Sequence, residues 1–350
     1  MNLGLVIYGS LDTLSGGYLY DRKLVEYLRT QGDSVQVISL PWRSYAAHLG
    51  DNLSFRLPPG LDLLIEDELN HPSLLLANAR QHAYPVISLV HHLRCSEQRP
   101  GWQNSFYRLV ERQYLRSVDG FIINSHTTRA VVAGLVGDTL PVQIAYPPTD
   151  RFGAALSPEV VAARARHPGP LRVVFLGNVI PRKGLETLLQ AIALQKTPLE
   201  LDVIGSLNSD NVYARAMQQL SIKLEIESLT HFLGPLDNGA LAQKLGSADL
   251  LAVPSSYEGF GIVYLEAMAF GLPAIGTTAG AAAEIISSGE NGWLIPPGDH
   301  LSLSARLTEL QADRELLARV SLNAVQRYQQ QPSWNETAGN IRKFLRKFGC

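Results

Sequence analysis

The sequence predicts an α/β protein built from two domains, each around a parallel sheet. Short apolar runs alternate with longer stretches of helical periodicity along the whole chain. They fall into two series, and Pro147, Pro148, Pro158, Pro168, Gly169 and Pro170 crowd the stretch between them. A chain of 350 residues is too long for one typical core and comfortable for two.

In the first series LGLVIY, VQVISL, LDLLIE, PVISLV, GFIINS and VQIAY read as strands. Between the first two, Tyr18 to Thr30 carries apolar residues at helical spacing, with Gly32 as a stop. Gly16 and Gly17 then fall between strand and helix, where they also fit an ordinary turn. The second series runs through LRVVFLG, LELDVIG, LTHFLG, DLLAVP, PAIGT and GWLIP. Leu185 to Ala193 holds no glycine or proline and reads as a helix. From about Leu301 the chain is helical, contains Trp334 and ends in the basic amphipathic segment IRKFLRKF. The predicted boundaries are 1–149, 150–327 and a C-terminal helix over 328–350.

Composition narrows the function classes. The chain is 46% hydrophobic and 18% charged with a net charge of -2, so no basic excess points to nucleic acid. Cys95 and Cys350 are too few for a disulfide framework or a CxxC metal site and suit a reducing compartment. MNLGLVIYGS lacks a basic leader and reads as the first strand. No apolar run is long enough to span a bilayer, so a cytoplasmic protein is expected. Between His91 and Arg129, six arginines outnumber Glu97, Glu111 and Asp119, with Trp102, Phe106, Tyr107 and Tyr114 interleaved. This stretch either touches lipid headgroups peripherally or is a solvated helix with its apolar side on the core; the second is the simpler expectation.

The chemistry concentrates in YEGFGIVYLEAMAFGLPAIG, residues 257–276. Gly259 and Gly261 allow the backbone to approach a ligand, and free N–H groups at the following helix start favour an anion. Glu266 sits inside a helix that is apolar nearly all round, and a buried carboxylate needs donors. It accepts either the paired hydroxyls of a ribose or the N–H groups of a neighbouring loop. Glu258, outside the helix, is placed to orient the hydroxyls of a bound sugar. Arg182 and Lys183 are either anion ligands or two solvated loop charges. His91 and His92 end a strand, where such pairs commonly bridge loops, and no third metal ligand accompanies them. The cluster EDELNHP, residues 66–72, either meets an acceptor hydroxyl or is solvated, and the solvated reading is favoured.

PSSYEGFGIVYLEAMAFGLPAIGT resembles the carboxy-domain signature of the retaining glycosyltransferases of family four, also called group 1, whose E-x-F-G-x-x-x-x-E spacing is met by Glu258, Phe260, Gly261 and Glu266. FLGNVIPRKGLETLLQAI resembles a second block of that family, with Lys183 and Gly184 matching and Asn178 standing where an arginine is usual. HFLGPLDNGALAQKLGSADLLAVPS resembles the base-cradling segment, with Gly234 and Pro235 at the close approach. TAGAAAEII resembles a G-G-x-x-E loop, with Ala281 for the second glycine and Glu284 at a helix start. AYPPTD resembles the hinge, Pro148 replacing a glycine, and VDGFIINSHTTRAVV resembles a strand and helix with Ser125 as cap and Arg129 toward the cleft.

The resemblance implies the GT-B fold, two Rossmann-like domains facing across a cleft, with the C-terminal helix crossing back onto the first. It implies hexose transfer from a nucleotide-diphosphate sugar to a hydroxyl on a sugar, lipid or metabolite, in glycan, polysaccharide or glycolipid synthesis. Carried over, His91, Arg182, Lys183 and Glu258 are catalytic. Gly16, Gly17, Asn178, Gly234, Pro235, Gly259, Phe260, Gly261, Ile262 and Glu266 bind the donor. No metal and no cofactor are implied. The rival readings are a nucleotide-sugar epimerase of the same fold and a non-catalytic interaction protein.

Overall fold

A computed structural model describes residues 1–13, 15–80, 82–97, 99–148, 150–153, 155–197 and 199–349, with only the backbone of Asp150. Thr149 and Cys350 lie outside the described residues. Met1–Pro148 together with Pro332–Cys350 forms one compact unit, and Thr149–Gln331 forms a second.

The first unit runs β1 (Asn2–Tyr8), α1 (Gly16–Thr30), β2 (Ser34–Leu40), α2 (Tyr45–Asp51), β3 (Leu63–Asp67), α3 (His71–Asn78), β4 (Val86–Val90), α4 (Gly101–Leu115), β5 (Gly120–Ile123), α5 (His126–Val136) and β6 (Val142–Ile144). Its six strands are all parallel, in the order β2-β1-β3-β4-β5-β6. Side chains alternate between two cores, as the pleat requires. Leu3, Leu5 and Ile7 of β1 pack with Leu24 and Leu28 of α1, whereas Val6 packs with Leu74, Tyr114 and Val132 of the helices on the other face. Burial on both faces is why these strands read as apolar runs. Helix α1 begins at Gly16, two residues before the expected start, because the Ser15 hydroxyl accepts from the Tyr18 N–H. Such a cap contributes about 1 kcal/mol and carries two glycines into the first turn.

The second unit runs α6 (Pro158–Arg166), β7 (Arg172–Leu176), α7 (Leu185–Ala193), β8 (Glu200–Ile204), α8 (Asn211–Lys223), β9 (Thr230–Gly234), α9 (Asn238–Ser247), β10 (Leu250–Ala252), α10 (Ile262–Ala269), β11 (Ala274–Thr277), β12 (Gly292–Ile295), α11 (His300–Ala312) and α12 (Arg314–Gln329). Its parallel sheet has the order β12-β11-β10-β7-β8-β9. The last helix, α13 (Trp334–Gly349), belongs to the first unit, where Ala338, Ile341, Phe344 and Leu345 join the core beneath α1. Arg342 on the same helix clasps Asp33 at 2.6 Å.

One expectation is corrected. EDELNHP is not solvated: Glu66, Asp67, Glu68, Asn70 and His71 are all buried. Glu66 and Asp67 lie in β3, a central strand paired to β1 and β4, and helices cover both faces of that sheet, so no face is left for water. Helix α4 keeps an apolar side on the core through Val110, Tyr114 and Leu115, and its outer face mixes exposed Trp102, Phe106 and Leu109 with exposed arginines. Among the described residues, no helix is long and apolar enough to cross a membrane.

Candidate active site

In the second unit, the loops that follow β7 and β10 converge at the carboxyl ends of their strands, the usual position of a ligand in an open parallel sheet. Arg182 and Lys183 close a single 3-10 turn, Pro181–Lys183, that ends at Gly184. Gly184 has φ +71, and a Cβ there would lie 2.1 Å from the Pro254 carbonyl oxygen, so only glycine lets the two loops touch. Across that contact Lys183 Nζ donates to Glu258 Oε1 at 2.6 Å, and the Ser255 hydroxyl donates to the same oxygen at 2.6 Å. Arg182 stands 3.6 Å from Glu258 Oε2 and donates to the Tyr257 carbonyl at 2.8 Å. From behind, the Ala281 N–H donates to the Glu258 carbonyl at 2.8 Å. Burial pushes the Glu258 carboxyl up, but the Lys183 and Arg182 charges and the two hydrogen bonds overcome it and hold it below the usual carboxylate range. Arg182 and Lys183 are therefore not two solvated loop charges. They converge on one buried carboxylate and leave a net positive charge beside the start of α10.

Glu266 lies within α10, 3% exposed. Its Oε1 accepts from Arg151 Nη1 at 3.0 Å, while Arg151 Nε and Nη2 reach Asn238 Oδ1 at 3.0 and 2.6 Å. The guanidinium also lies over the Phe152 ring, 5.0 Å from its centroid. Glu266 thus holds a cation rather than the backbone N–H groups of a loop. Burial raises its carboxyl above the ordinary range, and Arg151 offsets that in part. Glu266 Oε2 has no hydrogen-bond partner among the described residues. Sequence reasoning missed Arg151, which sits 115 positions from Glu266 with no local pattern linking the two.

The remaining donor-binding candidates of this unit are spread over several loops. Asn178 is exposed just past β7, Gly234 ends β9 and Pro235 follows it exposed. Gly259, Phe260, Gly261 and Ile262 lead into α10, with Phe260 buried. Glu284 does not start a helix; it ends the 3-10 turn Ala281–Glu284.

In the first unit, Gly17 and His91 come together, and Gly16 is exposed at the first position of α1. A Cβ on Gly17 would meet His91 Cδ2 at 3.5 Å, so α1 lies directly against the imidazole. His91 Nε2 is 2.9 Å from Oδ1 of Asp21, a fully buried carboxylate on α1, and the Tyr20 ring stands edge-on to the imidazole at 5.1 Å. Burial alone would lower the His91 pKa, but Asp21, with Asp67 and Glu68, raises it to about 9. At neutral pH His91 is an imidazolium, a donor rather than a base. His92 turns away, its Nε2 at 2.9 Å from Glu97 Oε1. Asp21→Asn is expected to bring the His91 pKa down toward the ordinary 6.5 or below. Imidazole chemical shifts followed by NMR across pH 5 to 10 check this, and an unmoved midpoint would sink the assignment.

Two groups bring three possible metal-ligand atoms within 4.8 Å of one another: Asp21, Asp67 and His91, and Glu68, His71 and Glu111. In the second group both His71 nitrogens are engaged, with Tyr45 and the Glu68 carbonyl, and Glu111 accepts from the Arg94 and Cys95 N–H groups. In the first, His91 already holds Asp21. A metal would have to displace these bonds.

Two loops thus deliver paired cations, a buried carboxylate and a glycine-led helix start. Residues 159–327 match the family model of glycosyl transferases group 1. The matched segment contains Arg182, Lys183, Glu258 and Glu266; Arg151 and the first-unit candidates lie outside it. Over 273 residues the chain is 26% identical to the D-inositol 3-phosphate glycosyltransferase of Corynebacterium efficiens, covering 74% of this chain and 63% of that protein. Over 177 residues it is 31% identical to the protein of the same name from Geodermatophilus obscurus, covering 48% of this chain and 38% of that one. The chain thus spans less than two thirds of the length of these relatives. Among solved structures, the sucrose-phosphate synthase of Thermosynechococcus elongatus superimposes with a TM-score of 0.80 at 20% identity, covering 99% of this chain and 98% of that one. The fold is GT-B, as the group 1 resemblance implied: two parallel six-stranded sheets with flanking helices.

Proposed function

We propose that the chain is a retaining glycosyltransferase that moves a hexose from a nucleotide-diphosphate sugar to a hydroxyl acceptor. The observation that carries this reading is the Lys183, Arg182 and Glu258 cluster beside the start of α10, with Glu266 offering an unpartnered oxygen from the same helix. On this reading Glu266 takes the ribose hydroxyls, and Lys183 and Arg182 offset the charge that grows on the departing diphosphate as the glycosidic C–O bond breaks. Glu258 would then exchange its cations for the sugar hydroxyls. Because the protein brings its own cations to the leaving group, we infer that no divalent ion is needed there. Retention would follow from same-face attack, the leaving phosphate taking the acceptor proton. His91, as an imidazolium, would donate to the sugar. The match to the group 1 model supports the reaction class, and a structural neighbour, Anabaena HepE, is described in complex with UDP-glucose, which makes UDP-glucose the first donor to try.

The test is saturation-transfer NMR with UDP-, GDP- and ADP-sugars, repeated on two variants. Glu266→Ala is expected to abolish the signal of the preferred donor. Arg151→Ala is expected to strengthen donor binding several-fold, because Arg151 occupies one of the two carboxylate oxygens that a pair of ribose hydroxyls would use. Absence of signal from every donor on the unmodified chain would defeat the transferase reading. A weaker signal in Arg151→Ala would instead show Arg151 holding the donor itself.

A further inference from the structure

We propose that the outer face of α4 is a docking surface for a bilayer carrying anionic headgroups. Trp102, Phe106 and Leu109 recur at i, i+4 and i+7, so they form one stripe along the helix, and they are 73%, 44% and 67% exposed. Lone exposed apolar residues need no account, but three large ones in register do. The helix has no freedom to roll them inward. Its opposite side is anchored by Tyr114 and Leu115 in the core beneath β4 and β5, with Val110 and Glu111 also buried.

Charge selects the occupant. Arg108, Arg112 and Arg116 flank the stripe, all exposed, and among the described residues none of them forms an ion pair or a side-chain hydrogen bond. The one acid of the helix, Glu111, is fully buried with its carboxylate on the Arg94 and Cys95 N–H groups. The outer face of α4 therefore carries positive charge alone, in a chain whose net charge is -2. A tryptophan and two apolar side chains edged by unpaired arginines match the boundary between acyl chains and anionic headgroups. A copy of this chain would bring the same arginines against themselves, which like-charge repulsion opposes. The surface is independent of the donor site, so its test stands apart from the proposed transferase activity.

The experiment is co-sedimentation of the full chain with vesicles of phosphatidylcholine alone and of phosphatidylcholine with phosphatidylglycerol at three to one. Binding to the mixed vesicles is expected, with little to phosphatidylcholine, and 0.5 M salt should release it. Trp102→Ser with Leu109→Ser should abolish pelleting. Each of Arg108→Gln, Arg112→Gln and Arg116→Gln should weaken it about five-fold. All five positions are on the surface, and unchanged thermal melts would confirm that the variants fold. Failure to bind the mixed vesicles would overturn the proposal, as would equal binding to both kinds that ignores the arginines. A dimer in sedimentation equilibrium that dissolves in the Trp102→Ser, Leu109→Ser variant, with no vesicle binding, would assign the face to a second copy instead.

Discussion

Glu68→Gln is expected to stabilise the protein at pH 8 by on the order of 4 kcal/mol and to leave it nearly unchanged at pH 4. Burial raises the Glu68 carboxyl to about 8, with His91 and Arg94 offsetting only part of that, and Glu66 and Asp67 stand at about 7. In each case the folded protein binds the proton more tightly than the unfolded chain does. The stability this contributes is complete below about 4.5 and drains away as pH climbs through 7 to 8. His91 acts in the same direction, its contribution complete below 6.5 and lost as pH rises through about 9. His71, lowered by burial to about 4, acts in the opposite sense: its contribution is present above 6.5 and lost as pH falls through 4. A glutamine at position 68 is isosteric and has no proton to lose, so it removes one alkaline loss and leaves the others. Thermal melts of the two proteins at pH 4, 6 and 8 measure the difference. Parallel curves with a constant offset would show that Glu68 does not titrate in this range.

Lys183→Met is expected to cost about 3 kcal/mol of stability, a large effect for a loop residue. The Lys183 side chain is 12% exposed and that of Glu258 8%, so removing the lysine leaves a buried carboxylate with Ser255 and the more distant Arg182. Adding Glu258→Gln should recover most of the loss, because the pair then disappears together. A double-mutant cycle by urea unfolding reads this coupling directly. If the two losses simply add, the 2.6 Å contact contributes nothing to folding. Both single variants should also lose donor turnover, so stability and activity separate in the double variant: it refolds well and stays inactive.

How far the sequence could be read depended on whether the determining contacts were local. Every strand was legible, because parallel strands buried on both faces are written as apolar runs. The Glu258 and Glu266 spacing was legible for the same reason, since both lie in one short stretch that leads into α10. The start of α1 was misread because two glycines look like a turn, and the Ser15 cap outweighs them. The acids at positions 66–68 look like surface, and only the central place of β3 in a sheet covered by helices on both faces buries Glu66 and Asp67, with Glu68 in the turn that follows. Arg151 on Glu266 and Asp21 on His91 join residues 115 and 70 positions apart, beyond the reach of any motif. On α4 the aromatic residues were visible but their directions were not: Tyr114 turns in and Trp102 turns out.

The placement of α13 has a consequence for how the protein is made. The sheet of the first unit is synthesised first, yet Leu24, Leu28 and their neighbours receive Ile341, Phe344 and Leu345 only after all of the second unit has left the ribosome. The second unit is contiguous and is free to close its core as soon as residue 331 emerges, whereas the first must wait with an apolar face uncovered. Completion therefore runs against the order of translation. Of the two units, the longer exposure to chaperones and proteases falls on the one that the ribosome releases first.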